Sequence, residues 1–171
     1  MGDLDKKDRD ILASLYHDAR MMISTLAKKT RIQRDSVKYR LSRLKERGII
    51  SGMHAALDYE ALGFPVLYQV EINLQNFNLE IEEAFIAYLS EYPHVIYLAE
   101  LTGKFDLSVL IAAKGPADFH AILKDIRSRY PEVMRDHEIS TINAISKHWD
   151  YTGLLRLMDG KKRKDSRTGT R

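Results

Sequence analysis

Polar side chains between positions 33 and 43 have the chemistry of groups that contact nucleic acid. They are Gln33, Arg34, Asp35, Ser36, Lys38, Tyr39, Arg40, Ser42 and Arg43. Arginine and lysine neutralise phosphate groups, and arginine also pairs with guanine through two parallel hydrogen bonds. Glutamine has the donor and acceptor that match adenine, and an outward tyrosine suits a thymine methyl group or a phosphate. This set of side chains predicts contact with a DNA duplex.

The members of this set are expected to have different roles. Arg34 is near the start of the predicted helix and is expected to pair with guanine, a contact worth roughly 1–3 kcal/mol of discrimination. Lys38 is expected to neutralise a phosphate. Arg40 is turned about 60° from the apolar stripe of the helix. Its expected partner is therefore either a flanking phosphate or an acid of the protein itself. Asp35 is expected to orient Arg34 or to accept a hydrogen bond from cytosine.

Two helices joined by a tight turn are needed to present these side chains. Apolar residues follow the i, i+4, i+7 spacing of one helix face at Val37, Leu41 and Leu44. The predicted helix covers about residues 33–47, and Gly48 ends it. A shorter helix ends near Lys29, and residues 30–32 form the turn. This is the helix-turn-helix arrangement, in which the second helix enters the major groove.

Other elements are predicted on both sides of this pair. A first helix begins near Asp5, which forms a weak capping pair with Asp8, and ends near His17. Alternating residues from 49 to 57 predict a wing or exit strand, and residues 58–63 form a hinge.

The rest of the chain contains an internal repeat. The pattern Tyr-Pro-x-Val occurs at residues 92–95 and again at 130–133, each time after an amphipathic helical segment. Because proline cannot continue a helix, each copy marks the end of a helix and the start of a strand. Alternation at residues 66–74 and 105–111 predicts a strand before each helix. The order β-α-β-β-α-β is that of ferredoxin-like folds. Homodimerisation through the sheets is expected to cover the face that the helices leave open.

The predicted fold class is therefore α+β, with an N-terminal winged helix-turn-helix domain followed by a ferredoxin-like βαββαβ sandwich domain. The expected limits are 1–52 for the DNA-binding domain, 53–63 for a linker strand and hinge, and 64–150 for the sandwich. Residues 151–171 are expected to form a basic C-terminal tail, disordered from residue 160 onward.

Charge is distributed unevenly along the 171 residues, although the formal net charge is only +3. Residues 1–50 contain 13 Lys and Arg against 7 Asp and Glu, and residues 51–159 contain 8 against 16. Residues 160–171 contain 6 against 1. Basic residues often only solvate helix surfaces, but their coincidence with the helix-turn-helix pattern favours a phosphate-facing domain.

Composition excludes several classes of protein. No apolar run is long enough to cross a bilayer, and the charged N-terminus is unlike a signal peptide. The absence of cysteine excludes disulfides, thiolate zinc sites and a cysteine nucleophile. A cytoplasmic protein with no membrane partner is expected.

Short fragments recur in a specific order from about residue 4 to residue 149. They include Leu26-Ala27-Lys28-Lys29, Gly48-Ile49-Ile50, Leu62-Gly63 and Leu101-Thr102-Gly103-Lys104-Phe105-Asp106. In this order and spacing, the chain resembles the Lrp/AsnC (feast/famine) family of transcriptional regulators. The resemblance implies a RAM-type sandwich domain, dimers that often assemble into octamers, and an amino acid effector bound between dimers.

The resemblance also implies where the effector binds, namely near the loop between the second and third strands of the sandwich. The candidate effector-binding residues are Thr102, Gly103, Lys104, Phe105 and Asp106, with Glu138 and Thr141 of the last strand as weaker candidates. Gly103 lets the backbone approach a ligand, exposed amide groups suit a carboxylate, and Asp106 suits an α-ammonium group. The alternative is a tight hairpin in which Gly103 only turns the chain and Asp106 caps it.

Three positions depart from the family pattern. Arg31 occupies the turn position where glycine is common, and a left-handed backbone there costs a non-glycine residue roughly 1 kcal/mol. Met22 stands where a polar residue usually begins the second helix. Gln33 replaces the frequent serine at the start of the third helix and is a weaker cap.

Two other functions are left open by the residues alone. One is a nucleoid-type protein that packages DNA, and the other is an enzyme similar to the sirohaem decarboxylases, which share this architecture. The six histidines are scattered without metal-ligand spacing, and no catalytic set stands out, so a non-enzyme without cofactor or metal is expected. The predicted function is sequence-specific regulation of transcription at a pseudo-palindromic double-stranded operator. A dimer would place its two recognition helices about one helical turn apart on such a site.

Overall fold

The computed structural model describes residues 4–75, 78–146 and 150–165, with side chains described as far as residue 158. The chain divides into two compact units. One comprises Met1–Ala55 together with Lys147–Arg171, and the other comprises Ala56–Ser146.

Six helices and four strands are present in the described residues. The helices are α1 (Lys6–His17), α2 (Ile23–Thr30), α3 (Arg34–Glu46), α4 (Leu79–Glu91), α5 (Pro116–Arg129) and α6 (Thr152–Asp165). The strands are β1 (Val66–Leu74), β2 (Val95–Glu100), β3 (Leu107–Ala113) and β4 (Met134–Ile142). Within the described residues, no helix has the length and apolar character needed to cross a bilayer.

The start of α1 is fixed by the capping pair expected from the sequence. The Asp8 backbone N–H donates to the Asp5 carboxylate at 2.9 Å, and the Asp5 backbone N–H donates to the Asp8 carboxylate at 3.3 Å. Two N–H groups that a helix start leaves without an intrahelical partner are satisfied in this way. The apolar side of α1 then packs with α2 and α3. The buried residues of this core are Ile11, Leu12, Leu15, Leu26, Ile32, Val37, Leu44 and Leu155.

The strand expected over residues 49–57 is wrong for the described chain, which has no strand there. The backbone N–H groups of Ile49 and Ile50 both donate to the carbonyl oxygen of Leu44, at 2.9 and 3.1 Å. Gly48 adopts a left-handed φ of 66°, which turns the chain back onto the last turn of α3. The first of the apolar residues that suggested a strand therefore form the C-terminal cap of a helix, and within the described ranges no strand pairs with residues 51–57.

The C-terminal segment is also more ordered than expected. Instead of a tail from residue 151, the chain forms α6, whose first turn is capped by the Asp150 carboxylate accepting from the Thr152 backbone N–H at 2.8 Å. The Tyr151 hydroxyl donates to the Leu12 carbonyl oxygen at 3.1 Å, and Leu155 is only 8% exposed. Apolar residues at helical spacing give this segment a face to bury on α1. Residues 160–165 continue α6, and residues 166–171 lie outside the described residues.

The second unit is a four-stranded antiparallel sheet in the order β2-β3-β1-β4, with α4 and α5 on one face. This confirms the βαββαβ order expected from the sequence. The Tyr-Pro repeats follow α4 and α5 directly, as the helix-ending role of proline requires. Alternate residues of β1 and β3, such as Val70 and its partner Val109, are buried beneath the helices.

The other face of the sheet carries a chain of polar contacts. The Gln69 amide donates to the Ser108 hydroxyl at 2.5 Å, and that hydroxyl donates to the Glu71 carboxylate at 3.0 Å. Next to them, the Asn73 amide donates to the Asp136 carboxylate at 2.6 Å. This face therefore presents a polar pattern alongside apolar Leu67 and Leu110. That a second copy covers it stays a prediction.

Candidate nucleic-acid interface

The turn between α2 and α3 is closed by a left-handed residue. Arg31 has φ 56° and ψ 37°, and its backbone N–H lies against the carbonyl oxygens at the end of α2. The next residue, Ile32, donates its backbone N–H to the Ala27 carbonyl oxygen at 3.0 Å and is buried. The position that the sequence identified as unusual for a non-glycine residue therefore has the left-handed conformation expected there. It sets the direction in which α3 leaves the turn.

The recognition helix α3 has a buried face and an exposed face. Val37 is fully buried, Leu44 is 1% exposed, and Leu41 is half-buried between them. Gln33 occupies the N-cap position without a side-chain hydrogen bond to the helix, as its identity predicted. Without that bond, its amide keeps its hydrogen-bonding groups for other partners.

The exposed face of α3 carries most of the predicted DNA-contacting side chains. The exposed members are Gln33, Arg34, Asp35, Lys38, Tyr39, Ser42 and Arg43, while Ser36 is half-buried. Arg43 lies over the Tyr39 ring at 5.8 Å, and the Ser42 hydroxyl donates to Glu46 at 2.9 Å. The structure therefore places these side chains together on one surface.

Asp35 does not pair with Arg34, the first of the two partners expected from the sequence, while contact with a cytosine stays a prediction. Its carboxylate lies 3.9 Å from the Lys38 ammonium group, and no hydrogen bond or ion pair joins it to Arg34 in the described part of the chain. Both members of the Asp35–Lys38 pair are more than half exposed, at 96% and 52% for their side chains. An exposed pair of this kind contributes only about 0–1 kcal/mol, so Lys38 stays available to a phosphate.

Arg40 binds acids of the protein, the second of the two roles that its position left open. Its guanidinium donates to the carboxylates of Asp5 and Asp8 at 2.6 and 2.7 Å, and its side chain is only 20% exposed. Hydrogen bonds to Asp8 and Asp5 raise the pKa of Arg40 in spite of its burial. Although burial alone raises the pKa of Asp5, hydrogen bonds from the Asp8 backbone and from Arg40 outweigh it and lower that pKa.

This contact connects the recognition helix to the capped start of α1, and the sequence left open an acid of the protein as the partner of Arg40 without indicating which one. The signal in the sequence was the Asp5–Asp8 pair, which was interpreted only as a cap. Two carboxylates satisfying one helix end place a double negative charge there, which attracts a cation from a neighbouring helix. The orientation of α3 is therefore fixed by an ion pair as well as by its apolar face.

The loop Thr102–Asp106 forms the predicted turn between β2 and β3. Gly103 has a φ of 150°, a conformation that side chains disfavour, and beyond its chain neighbours no atom lies within 4 Å of the place a β-carbon would take. One Asp106 carboxylate oxygen accepts from the Leu74 backbone N–H at 2.7 Å, and the Asp106 backbone N–H donates to Ile72 at 2.9 Å. Asp106 thus joins the loop to the end of β1. These hydrogen bonds resemble the structural role that the sequence left open for Asp106, that of capping a tight hairpin.

Lys104 is exposed on this loop, and Phe105 next to it is half-buried. The Lys104 ammonium group forms an ion pair with Glu138 and lies 4.6 Å from the centre of the Phe105 ring. The structure therefore brings Glu138 to the loop. Thr141 is not brought there. Glu138 pairs with Glu71 and Thr141 pairs with Tyr68, so the two lie three residues apart on opposite faces of the sheet.

Within the described residues, no group of three His, Asp or Glu side chains is arranged to hold a metal ion. The structural feature that bears on function is therefore the exposed basic face of α3.

Comparison with known proteins agrees with this geometry. Residues 4–51 match a family described as winged helix-turn-helix DNA-binding. The HTH-type transcriptional regulator AldR of Mycolicibacterium smegmatis is 33% identical over 116 residues, covering 68% of this chain and 68% of that protein.

Solved structures share the fold over most of the chain. An AsnC family transcriptional regulator from Agrobacterium tumefaciens has a TM-score of 0.78 at 24% identity, covering 85% of this chain and 94% of its own. The transcriptional regulator NMB0573 of Neisseria meningitidis, solved as an L-Met complex, has a TM-score of 0.79 at 21% identity. The match covers 88% of this chain and 99% of that one.

Proposed function

This chain belongs to the Lrp/AsnC family of transcriptional regulators, and we propose from that premise that it binds specific double-stranded operators under the control of an amino acid. The single observation that carries the DNA-binding part is the face of α3 that points to solvent. Arg34, Lys38 and Arg43 are exposed there, while Val37 and Leu44 hold the opposite face in the core.

Rigid placement of α3 supports specific rather than purely electrostatic binding. Reading bases requires that a side chain such as Arg34 reach the base edges in a defined direction. The Arg40 contacts with Asp5 and Asp8 and the burial of Val37 hold the helix at two different points. A helix held in this way loses little conformational freedom when it enters the major groove.

The proposed effector site is the exposed surface around Lys104 and Glu138. An amino acid zwitterion carries the two charges needed to replace this ion pair: its carboxylate would pair with Lys104 and its ammonium group with Glu138. Both side chains are well exposed, at 70% and 63%, so their mutual attraction is weak enough to be exchanged. Asp106 is less suited to the ammonium group because one of its oxygens already accepts from Leu74. The L-Met complex of the neisserial neighbour supports this class of ligand.

We further propose that the protein acts as a homodimer that assembles into octamers, with the effector between dimers. A dimer presents two copies of α3, which suits a pseudo-palindromic operator with half-sites one helical turn apart. An effector that changes how dimers associate would change which half-sites are occupied together.

Footprinting on the promoter of the protein's own gene tests the regulator function. Discrete protected segments at regular spacing are expected, and they should be retained in a large excess of unrelated duplex. Uniform coverage of the DNA without preferred positions would contradict the proposal and identify a packaging protein. An absorbance change on adding a tetrapyrrole, without DNA binding, would contradict it in favour of an enzyme.

Sedimentation with a panel of amino acids tests the effector function. At least one amino acid is expected to change both the sedimenting mass and the affinity for the footprinted site. A panel in which no amino acid alters either quantity would refute the effector proposal and leave the DNA-binding proposal intact.

A further inference from the structure

A groove of about 350 Å³ runs along the outer side of α5 in the second unit. Its lining consists of His120, Leu123, Lys124, Arg127, Ser128 and Pro131. None of these residues belongs to α3 or to the loop Thr102–Asp106, so the functions proposed above do not account for this groove, which we call the α5 groove.

The three basic side chains of the α5 groove form a stripe along the helix. His120, Lys124 and Arg127 have i, i+4, i+7 spacing, which places them within an arc of about 60°. The neighbouring face of α5, which includes Ile122 and Ile126, is buried against the sheet. The stripe is therefore a separate surface from the one that packs in the core.

The acid next to Lys124 in sequence has its partners outside the stripe. Asp125 lies next to Lys124 in sequence, but its carboxylate accepts from the Tyr92 hydroxyl at 2.8 Å and from the Tyr88 hydroxyl at 3.4 Å. Both tyrosines belong to the end of α4. Asp125 is therefore directed towards α4, and it does not line the α5 groove.

The positive charge of the stripe is not balanced by an ion pair. In the described part of the chain, neither Lys124 nor Arg127 forms a salt bridge, and the lining of the groove contains no carboxylate. The field of Arg127 extends to β4, where it adds to the effect of burial in lowering the pKa of His137. Residues 51–159 are acidic as a whole, with 16 Asp and Glu against 8 Lys and Arg, so a basic surface is unusual in this part of the chain.

The size and the floor of the groove suit a small molecule. Leu123 is 8% exposed and contributes an apolar floor, with Pro131 at the end of the helix. Small-molecule sites usually occupy about 300–1,000 Å³ and combine apolar walls with a few convergent polar groups. A tetrahedral oxyanion offers several acceptor oxygens to the fork of an arginine, to an ammonium group and to an imidazole.

We propose that the α5 groove binds a small phosphate-bearing molecule through Lys124, Arg127 and His120. The phosphoryl group supplies the charge that the stripe lacks, and an attached organic group would lie on Leu123 and Pro131. Free phosphate and a phosphorylated metabolite share this chemistry, and the two differ only in whether the apolar floor contributes to the affinity.

Calorimetric titration of the full chain with inorganic phosphate, at constant ionic strength, tests the proposal. Saturable binding is expected for the unaltered protein. The variant Lys124→Gln/Arg127→Gln is expected to bind at least tenfold more weakly. The matched control is Lys114→Gln/Arg129→Gln, which removes the same two charges from exposed positions outside the groove, and its affinity is expected to be unchanged.

Two further measurements keep the result interpretable. Arg127→Lys preserves the charge but removes the paired N–H donors of the guanidinium group. An intermediate loss of affinity is therefore expected for this variant, and it can be measured even if the double variant is poorly folded. Glycerol 3-phosphate distinguishes the sources of the ligand: tighter binding than inorganic phosphate indicates a phosphorylated metabolite, and equal binding indicates free phosphate.

Three outcomes would overturn the proposal. They are the absence of saturation by either phosphate compound, an equal loss of affinity in the control variant, and a loss of DNA affinity in Lys124→Gln/Arg127→Gln without any phosphate binding. The last outcome would assign the stripe to DNA instead. Because the titration contains no DNA, its result is independent of whether the regulator function is correct.

Discussion

The Arg40 guanidinium links the recognition helix to two carboxylates at the start of α1, and the Asp8 side chain in this cluster is only 12% exposed. Replacing Arg40 by Met keeps much of its packing volume but leaves Asp8 with only its backbone partner. A loss of about 1–3 kcal/mol in the free energy of unfolding is expected, because a partly buried charge loses its counter-charge. Urea unfolding measures the change, and the exposed Arg43→Met serves as control with an expected change of within about 0.5 kcal/mol.

The lowered pKa of Asp5 makes the same cluster sensitive to acid. A carboxyl group whose pKa is depressed by folding stabilises the protein at pH values above its ordinary pKa of 3.8, and this contribution is lost as the pH falls through the lower pKa of the folded state. The stability difference between the unaltered protein and Arg40→Met should therefore be constant near neutral pH and shrink below about pH 4. Urea midpoints from pH 7 down to pH 3 measure it. A difference that stayed constant at the lowest pH would show that the Asp5 carboxylate does not carry the effect.

Arg34 and Lys38 are expected to differ in what they contribute to DNA binding. Arg34→Ala should reduce the preference for the operator over a mutated operator, by a factor that corresponds to roughly 1–3 kcal/mol. Lys38→Ala should weaken all sequences alike and make the salt dependence less steep by about 0.9 for each lost phosphate contact. Fluorescence anisotropy at several salt concentrations separates the two. Identical behaviour of both variants would contradict the assigned roles.

The docking of α6 on α1 is the element-scale feature that gives the clearest stability prediction. Leu155 is 8% exposed in the core of the first unit, whereas its neighbour Leu154 is 65% exposed. Leu155→Ala should therefore destabilise this unit by about 2 kcal/mol, near the lower end for buried leucines because the site lies close to the surface. Leu154→Ala is the matched control and should have almost no effect. Thermal unfolding followed by circular dichroism measures both.

Local patterns predicted most of the elements but few of the contacts between them. Five of the six helices in the described residues, all except α6, and the order of elements in the second unit were predictable because helical spacing, the Tyr-Pro repeat and residue alternation depend only on neighbours in sequence. The Arg40–Asp5 contact joins residues 35 positions apart, and the Tyr151–Leu12 hydrogen bond joins residues 139 apart. A periodic pattern in the sequence cannot predict contacts between residues so far apart. Alternation after Gly48 failed for a related reason, because a strand also needs a partner to accept its backbone hydrogen bonds.

For the candidate effector site, the sequence predicted the loop better than the residues around it. Of the two roles left open for Gly103, turning the chain fits its φ of 150°, and approach of the backbone to a ligand stays a prediction. Glu138 and Thr141 are three residues apart on β4, so their side chains lie on opposite faces of the sheet. Which of the two residues faces the loop can be assigned only once the register of β4 with β1 is known. The sequence did not supply that register.

At the scale of the whole molecule, effector response and DNA binding should be separable by mutation. Lys104→Gln and Glu138→Gln each remove one charge from the proposed effector site, which lies in the second unit, whereas α3 lies in the first. Both variants are expected to retain operator affinity without ligand and to lose at least tenfold of the sensitivity to the active amino acid. Anisotropy titrations with and without that amino acid measure both quantities. A variant that lost operator affinity as well would indicate that Lys104 and Glu138 maintain the fold or the assembly.

The first unit combines residues 1–55 with residues 147–171, and the second unit lies between these two segments in sequence. During synthesis on the ribosome, α1, α2 and α3 emerge first, and Leu155 and Tyr151 can reach them only after the whole second unit, Ala56–Ser146, has been translated. The α1 surface around Leu12 therefore has no α6 to cover it while the second unit is being made. Completing the core of the first unit depends on a segment that is synthesised after the second unit.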